Sequence, residues 1–235
     1  MSLGGGIAVA IVVLAGLAFT DTSVPILAGL ATAFAVGLID DARKAQHGGL
    51  RWQWKLAGQF LAAAFVLFER PEASAVLWLV VCMNAWNFLD NTDGVLLGTG
   101  LGALVPVALL CGHIPSLVVA TTLLAFTPFQ WPRARIYFGD SGSHTIGFAI
   151  GWFAIDLFPT VGPAAFMALH FVAHADMWQV VAVRVIQGIP PWRGDRRHLA
   201  HRLQRWILVP AIGPIFLAAQ AAIAVLVLLV LTTRQ

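Results

Sequence analysis

Long apolar runs broken by short polar clusters set the pattern of this chain. The runs occupy residues 4–19, 24–39, 56–68, 73–88, 95–111, 114–129, 145–158, 163–185 and 207–231. A helix that crosses a bilayer takes about 20 mostly apolar residues, in a range of roughly 17–25, and satisfies its backbone polar groups internally. The nine runs are therefore read as transmembrane helices. The third and seventh fall short of that length, so their ends are expected to continue into the flanking loops. The fold class predicted is all-α: a polytopic integral membrane helical bundle of about nine helices, forming one membrane-embedded domain over residues 1–235.

Composition supports this pattern, because 59% of the 235 residues are hydrophobic and 11% charged, with a mean hydropathy of +0.83. That balance excludes an ordinary soluble domain. No low-complexity linker or clear internal repeat divides the chain. The first run lacks the basic start and small-residue cleavage site of a signal peptide, so it is kept as structure.

The polar clusters between runs differ in charge. If the helices alternate in direction, one end of the bundle receives Arg43, Lys44, Arg51, Lys55, Arg133, Arg135, Arg193, Arg196, Arg197, Arg202 and Arg205, and the other only Arg70 and Arg234. Basic loops stay on the cytoplasmic side, so the rich end is predicted to be cytoplasmic. The net charge of +3 is then topological and does not point to nucleic acid. Cys82 and Cys111 show no metal or redox spacing and read as small buried apolar residues. Trp52, Trp54, Trp131, Trp192 and Trp206 suit an interfacial aromatic belt.

The acids carry more information. Asp40 and Asp41 end the second run in "VGLIDDARK", Asp90 and Asp93 end the fourth in "NAWNFLDNTDG", and Asp140 follows the sixth in "FGDSGSH". All five are expected at the basic end. Ordinary helix C-termini disfavour carboxylates, and crowded carboxylates at membrane depth need a compensating cation. Arg, Lys and His in "RKAQHGGLRWQWK" and "PPWRGDRRHLAHRLQRW" share that end. Carboxylates with a hard metal, ringed by cations, suit a pyrophosphate substrate. Gly94, Gly139 and Gly142 would let backbone approach a phosphate or base closely. The chemistry suggested is phosphoryl transfer at a membrane surface.

The ordered set "GLIDDARK", "RWQWKLAGQ", "NAWNFLDNTDG", "WPRARIYFGDSGS" and "DRRHLAHRL" resembles the polyprenyl-phosphate N-acetylhexosamine-1-phosphate transferases, of glycosyl transferase family 4. The resemblance spans nearly the whole chain. It implies a Mg2+-dependent phosphoglycosyl transferase, with Mn2+ as an alternative ion, at the cytoplasmic face of the bacterial inner membrane. Its partners would be a UDP-sugar donor, a polyprenyl phosphate acceptor and the bilayer, with no nucleic acid; a homodimer is compatible with it. The loop "DRRHLAHRL" looks more like members that use simple UDP-N-acetylhexosamines, so UDP-N-acetylglucosamine with undecaprenyl phosphate is expected, as the first membrane step of a cell-envelope glycan.

Position by position, the resemblance makes Asp140 the principal magnesium ligand, with Asn87 beside it as an oxygen ligand to metal and pyrophosphate. Tyr137 stands where a phenylalanine usually stacks on uracil, and its flat ring preserves that ability. Asp90 and Asp93 would surround the nucleotide, and Arg196, Arg197, His198 and His201 would contact the diphosphate. Asp40 and Asp41 form the acidic pair, with Asp40 as proton acceptor or positioner. Lys55 would take the lipid phosphate, and Lys44, three and four residues beyond the pair, is the reserve cation.

Departures from the family pattern occur at Asn91, where glycine is usual, at Gln130, a substrate-binding position that usually holds asparagine, and at Ala200, which replaces one histidine. The start "MSLGGGIAVA" resembles the glycine-rich entry to the family's second helix, so the family's first helix is expected to be lacking. Two other readings compete with this one: an inactive truncated homologue that binds lipid or a partner, and a transporter, whose acids would sit near the midplane in repeated halves. His170, His174 and Asp176 share one run, and His170 and His174 share a face at i,i+4. A polar seam against neighbouring helices is expected there in preference to a metal site.

Overall fold

The computed structural model describes residues 4–232, and among them the regular structure is entirely helical. The elements are α1 (Gly4–Ala18), α2 (Val24–His47), α3 (Trp52–Ala64) with a 3-10 turn (Phe65–Phe68), α4 (Ala73–Leu89), α5 (Val95–Cys111), α6 (Ile114–Gln130), α7 (Gly139–Val161), α8 (Ala164–Ile186), α9 (Leu199–Leu203) and α10 (Val209–Thr232). Four of them, over Val24–Lys44, Gly139–Val161, Ala164–Ile186 and Val209–Val230, are long and apolar enough to cross a membrane; α1, α4, α5 and α6 are shorter apolar helices. The short α9 has no counterpart among the apolar runs.

Two boundaries differ from the hydropathy pattern in ways that shape the polar end. α2 does not stop at Asp40 and Asp41 but continues to His47 and ends on Gly48 in the left-handed region. The two acids therefore lie on its last turns, with Lys44 one turn beyond Asp40. α7 begins at Gly139, six residues before the apolar run, so Asp140 occupies its first turn. A carboxylate there is favoured by the helix macrodipole, and the early start carries the short seventh run into its flanking loop, as its length implied.

α7 is the centre of the bundle: its residues from Asp140 to Ala154 are all buried, and it touches α1, α2, α4 and α8. The most extensive helix pairing joins α5 to α10. A Cβ at Gly98 would collide with the Gly213 carbonyl, and one at Gly102 with the Leu217 carbonyl and, at 3.1 Å, with Ala221 N. The two backbones thus pack at a distance only glycine allows. Gln220 completes this side from within α10, accepting from Val172 N–H at 2.9 Å and donating to the Ala168 carbonyl at 2.6 Å on α8.

The loops between α2 and α3, α4 and α5, α6 and α7, and α8 and α10 meet at one end. Trp52 stacks on Trp192 with ring centroids 4.6 Å apart. Asp93 accepts from Ala134 N–H at 3.0 Å, and Trp131 Nε1 donates to the Pro210 carbonyl at 2.6 Å.

Candidate active site

Asp140 is the focus of that end. Lys44 Nζ lies 2.7 Å from its Oδ1 and 3.1 Å from Asp40 Oδ2. Lys55 pairs with the other Asp140 oxygen and lies 3.5 Å from Asp40 Oδ2. Asn87 Nδ2 donates to Asp140 Oδ1 at 3.0 Å and to Ser143 Oγ at 2.8 Å. Asp40 also accepts from Leu50 N–H at 2.6 Å, which closes the loop after α2 over the cluster. Two nearly buried carboxylates thus share two ammonium groups, of which Lys44 is the more exposed. Both lysines occupy the pair, not Lys55 alone.

Asp41 has a different position from its neighbour. Its Oδ1 accepts from Asp140 N–H at 2.9 Å, and its Oδ2 from Ser141 N–H at 2.9 Å and Ser141 Oγ at 2.8 Å. These are free amides of the first helical turn, so Asp41 caps α7 from a separate helix. The approach requires Gly37, one turn earlier on α2: a Cβ there would meet the Asp140 carbonyl oxygen and lie 2.5 Å from Asp140 C and Ser141 Cα. It also requires Gly139, whose φ of +62° is left-handed and whose added Cβ would be 2.7 Å from Asp41 Oδ2. The glycines around Asp140 make room for protein, where close approach by phosphate had been expected.

Asp90 follows the end of α4 and accepts from Gly139 N–H; burial, and then the charge of Asp140, push its carboxyl up to about 7. Asp93 is committed to the α6–α7 loop through Ala134. Gln130 is buried and its amide donates to the Ile136 carbonyl, so this residue pins the same loop. Tyr137 is half-exposed at this end.

The last loop is built on two acids. Asp195 accepts from Arg184 Nε at 2.9 Å and from Arg197 through its side chain at 2.7 Å and its N–H at 3.0 Å. Burial raises the Asp195 carboxyl, but the two arginines outweigh it and hold it well below the usual carboxylate range. Asp176, buried on α8, accepts from His198 at 2.7 Å and Leu199 N–H at 2.6 Å. His201 contacts Thr92 Oγ1 at 3.1 Å; burial, followed by the charge of Arg196, lowers its pKa. Arg196 is exposed and reaches Gln204 at 3.4 Å.

Beneath Asp140 lies a polar ladder that no local sequence pattern announces. Asn84 donates to Gln59 Oε1 at 2.8 Å, and Gln59 Nε2 contacts His144 Nε2 at 3.1 Å. Its members come from α4, α3 and α7, so only the assembled fold brings them together.

The rival cluster does gather a third group: Cys82, His170 and His174 place ligand atoms within 4.8 Å of one another. Hydrogen bonding argues against a metal there. Trp86 Nε1 donates to His170 Nδ1 at 3.1 Å, so the proton is on Nε2, which faces the Ile150 carbonyl at 3.0 Å. Both nitrogens are occupied, and Asp176 is turned to His198. A cavity of about 540 Å3 is also remote: it is lined by Arg70, Trp78, Phe158 and Phe166 among others. Phe158 follows Asp140 on α7 by about 27 Å at 1.5 Å per residue.

The donor set around Asp140 fits a hard divalent cation. Asp140, Asp40 and Asn87 supply the oxygen donors such an ion takes, no hydrogen bond reaches Asn87 Oδ1 among the described residues, and a bound ion would take the place of the lysine ammonium groups on Asp140.

Comparison with known proteins gives this arrangement a lineage. The model of glycosyl transferase family 4 matches residues 71–158, from the start of α4 through most of α7. A Streptomyces coelicolor protein that carries only a general glycosyltransferase name is 34% identical over 219 residues, covering 86% of this chain and 52% of its own length. The decaprenyl-phosphate N-acetylglucosaminephosphotransferase of Mycolicibacterium smegmatis is 30% identical, covering 72% of this chain and 53% of its own length. The undecaprenyl-phosphate alpha-N-acetylglucosaminyl 1-phosphate transferase of Thermotoga maritima is 27% identical, at 74% and 59%. The chain spans about half the length of the curated relatives it matches. By the family-model match and the identity to these relatives, the chain belongs to glycosyl transferase family 4.

Proposed function

We propose that the chain transfers an N-acetylhexosamine 1-phosphate from a UDP-sugar to a polyprenyl phosphate, giving a polyprenyl-diphosphate sugar and UMP. The observation that carries this reading is the convergence of Lys44, Lys55, Asn87 and Asp40 on Asp140 at a capped helix start. The names of the relatives supply the reaction class. Nine crossings, as the apolar runs suggest, with the basic end in the cytoplasm, would put the site where a nucleotide sugar and a lipid phosphate meet.

In the proposed step an oxygen of the acceptor phosphate attacks the sugar-linked phosphorus of the donor. A new phosphoanhydride bond forms, the old one breaks, and UMP leaves with the bonding pair. The acceptor needs its last proton gone, and the second pKa of a phosphate is about 6. Asp40 accepts that proton or positions the phosphate. Lys44 and Lys55 exchange the carboxylates for the acceptor's charge, since ammonium groups bind phosphate as mobile point charges. Asp140 and Asn87 would hold a magnesium ion, which when bound neutralises the diphosphate. Asp41 keeps Asp140 in place throughout. His198, His201, Arg196 and Arg197 face the donor diphosphate, and Tyr137 offers its ring to uracil.

The test uses purified protein with UDP-N-acetylglucosamine, undecaprenyl phosphate and a magnesium titration. Parent protein is expected to form lipid-linked sugar and UMP in equal amounts. Asp140→Asn is expected to fold and to lose about 10²–10³ in rate, roughly 3–4 kcal/mol of transition-state stabilisation. Product from a UDP-muramoyl-pentapeptide donor alone would overturn the choice of sugar, and parent-like magnesium dependence in Asp140→Asn would overturn the site.

A further inference from the structure

We infer that Asp176, on α8, is a positioning residue that fixes the ring of His198 for the transfer reaction. The inference rests on the functional reading above, but the side-chain geometry behind it is independent of that reading.

Asp176 is 1% exposed, and each of its oxygens accepts one hydrogen bond: Oδ2 from the His198 ring at 2.7 Å, and Oδ1 from Leu199 N–H at 2.6 Å. No lysine or arginine lies within ion-pair distance of it among the described residues. A buried carboxylate without a cation depends on such donors. An ionised carboxylate only accepts, so the hydrogen in the 2.7 Å contact belongs to His198 Nδ1. The tautomer follows from the acid behind the ring.

His198 is the residue before α9, in an extended conformation, and the edge of Phe88 packs against its ring at 5.4 Å. With Nδ1 held by Asp176 and the plane held by Phe88, Nε2 is the atom left over, and no group hydrogen-bonds to it among the described residues. A cap for α9 alone would need only the bond to Leu199. The second bond, to the ring, is what a positioning role adds.

His201 is set in the same tautomer by a different device. Thr92 Oγ1 donates to Asn91 Oδ1 at 2.9 Å, so its hydrogen is spent and it must accept from His201 Nδ1 at 3.1 Å. The rings lie 5.9 Å apart, and both keep Nε2 for a ligand. Asn91, a departure from the family pattern, thus takes part in fixing His201.

The experiment compares Asp176→Asn, His198→Ala and the double variant in the transferase assay at matched folded amounts. Asp176→Asn is expected to lower kcat about 10–100-fold, as loss of a group that orients a ligand-bearing histidine does elsewhere, with KM for the UDP-sugar near the parent value. On the His198→Ala background it is expected to cost nothing further, since residues that act as one unit are not additive. Additive losses, or full turnover in Asp176→Asn, overturn the inference. If Asp176→Asn does not accumulate, Asp176→Glu takes its place: intermediate turnover is expected, again without further loss in the double variant. A second readout separates this idea from the functional reading. In 15N-histidine spectra, with His198 assigned by its loss in His198→Ala, Nδ1 should be protonated in the parent and lose that preference in Asp176→Asn. A parent spectrum with bare Nδ1 refutes the positioning role whatever the activity, whereas a protonated Nδ1 in a protein inactive with every donor leaves the geometry standing and removes only the transferase reading.

Discussion

Gly37→Ala tests whether α2 holds Asp140 in place. The added Cβ would lie 2.5 Å from Asp140 C and Ser141 Cα, where ordinary contact begins near 3.4 Å, and these are backbone atoms with no rotamer to change. α2 and α7 must separate by about 1 Å, judged from that shortfall. The bonds from Asp41 to Asp140 N, Ser141 N and Ser141 Oγ, now 2.8–2.9 Å, would then exceed hydrogen-bond range. Bonds to charged groups contribute roughly 1.5–3 kcal/mol each, and overpacking costs about 1–3 kcal/mol. Partial relaxation keeps the expected loss near 3–6 kcal/mol, which lowers Tm by more than about 6 °C in a chain of this size. A 1 Å displacement of a reacting group costs about 10² in rate. Tryptophan fluorescence melting and transfer assays on detergent-solubilised protein read the two effects separately. Gly194→Ala, where nothing lies within 4 Å of the new Cβ, is the control and should match the parent in both. Parent Tm and parent turnover in Gly37→Ala would refute the account of how Asp140 is placed.

His170→Ala should lower Tm while leaving turnover of the folded fraction unchanged, because it orphans the buried Trp86 indole and the Ile150 carbonyl, at about 1–3 kcal/mol each; zinc should not raise the parent Tm, and a zinc-dependent rise would restore the metal reading of Cys82, His170 and His174. With magnesium chelated, Tm should rise as pH is lowered from 8 to 5. The folded-state pKa of Asp90, raised from an ordinary 3.8 to about 7, means that stability is fully present below the ordinary value and lost as pH rises through about 7. In Asp90→Asn that part of the slope should vanish, and an unchanged slope would exclude Asp90 as its source.

The helices were legible in the sequence because apolar runs of this length have few alternatives, and the boundaries of α5 coincide with its run. Boundaries failed where hydropathy stops being the deciding force. Residues 40–47 are too polar to extend an apolar run, yet α2 continues because Lys44 pairs with Asp40 one turn away. The first turn of α7 is equally polar and is held by Asp41, 99 residues earlier. The gathering of Asp40, Asp90 and Asp140 was readable from alternating helix directions. The division of labour within the acidic pair was not, since adjacent aspartates look alike in sequence and differ only in what each helix face meets. Asp176 was visible as a polar residue in an apolar run, but its partner lies 22 residues on in a loop, with no periodicity to connect them.

The seam between α5 and α10 bears on the order in which the protein is made. Gly98 and Gly102 emerge from the ribosome more than 100 residues before Gly213 and Leu217, the backbone they are shaped to receive. Until then the glycine face of α5 is uncovered, and α8 has yet to receive the Gln220 amide between the Ala168 carbonyl and Val172 N–H. Insertion of α10 is thus the event that closes this seam and ties α5 to α8. A nascent chain stalled before Val209 would leave that face open to other helices in the bilayer.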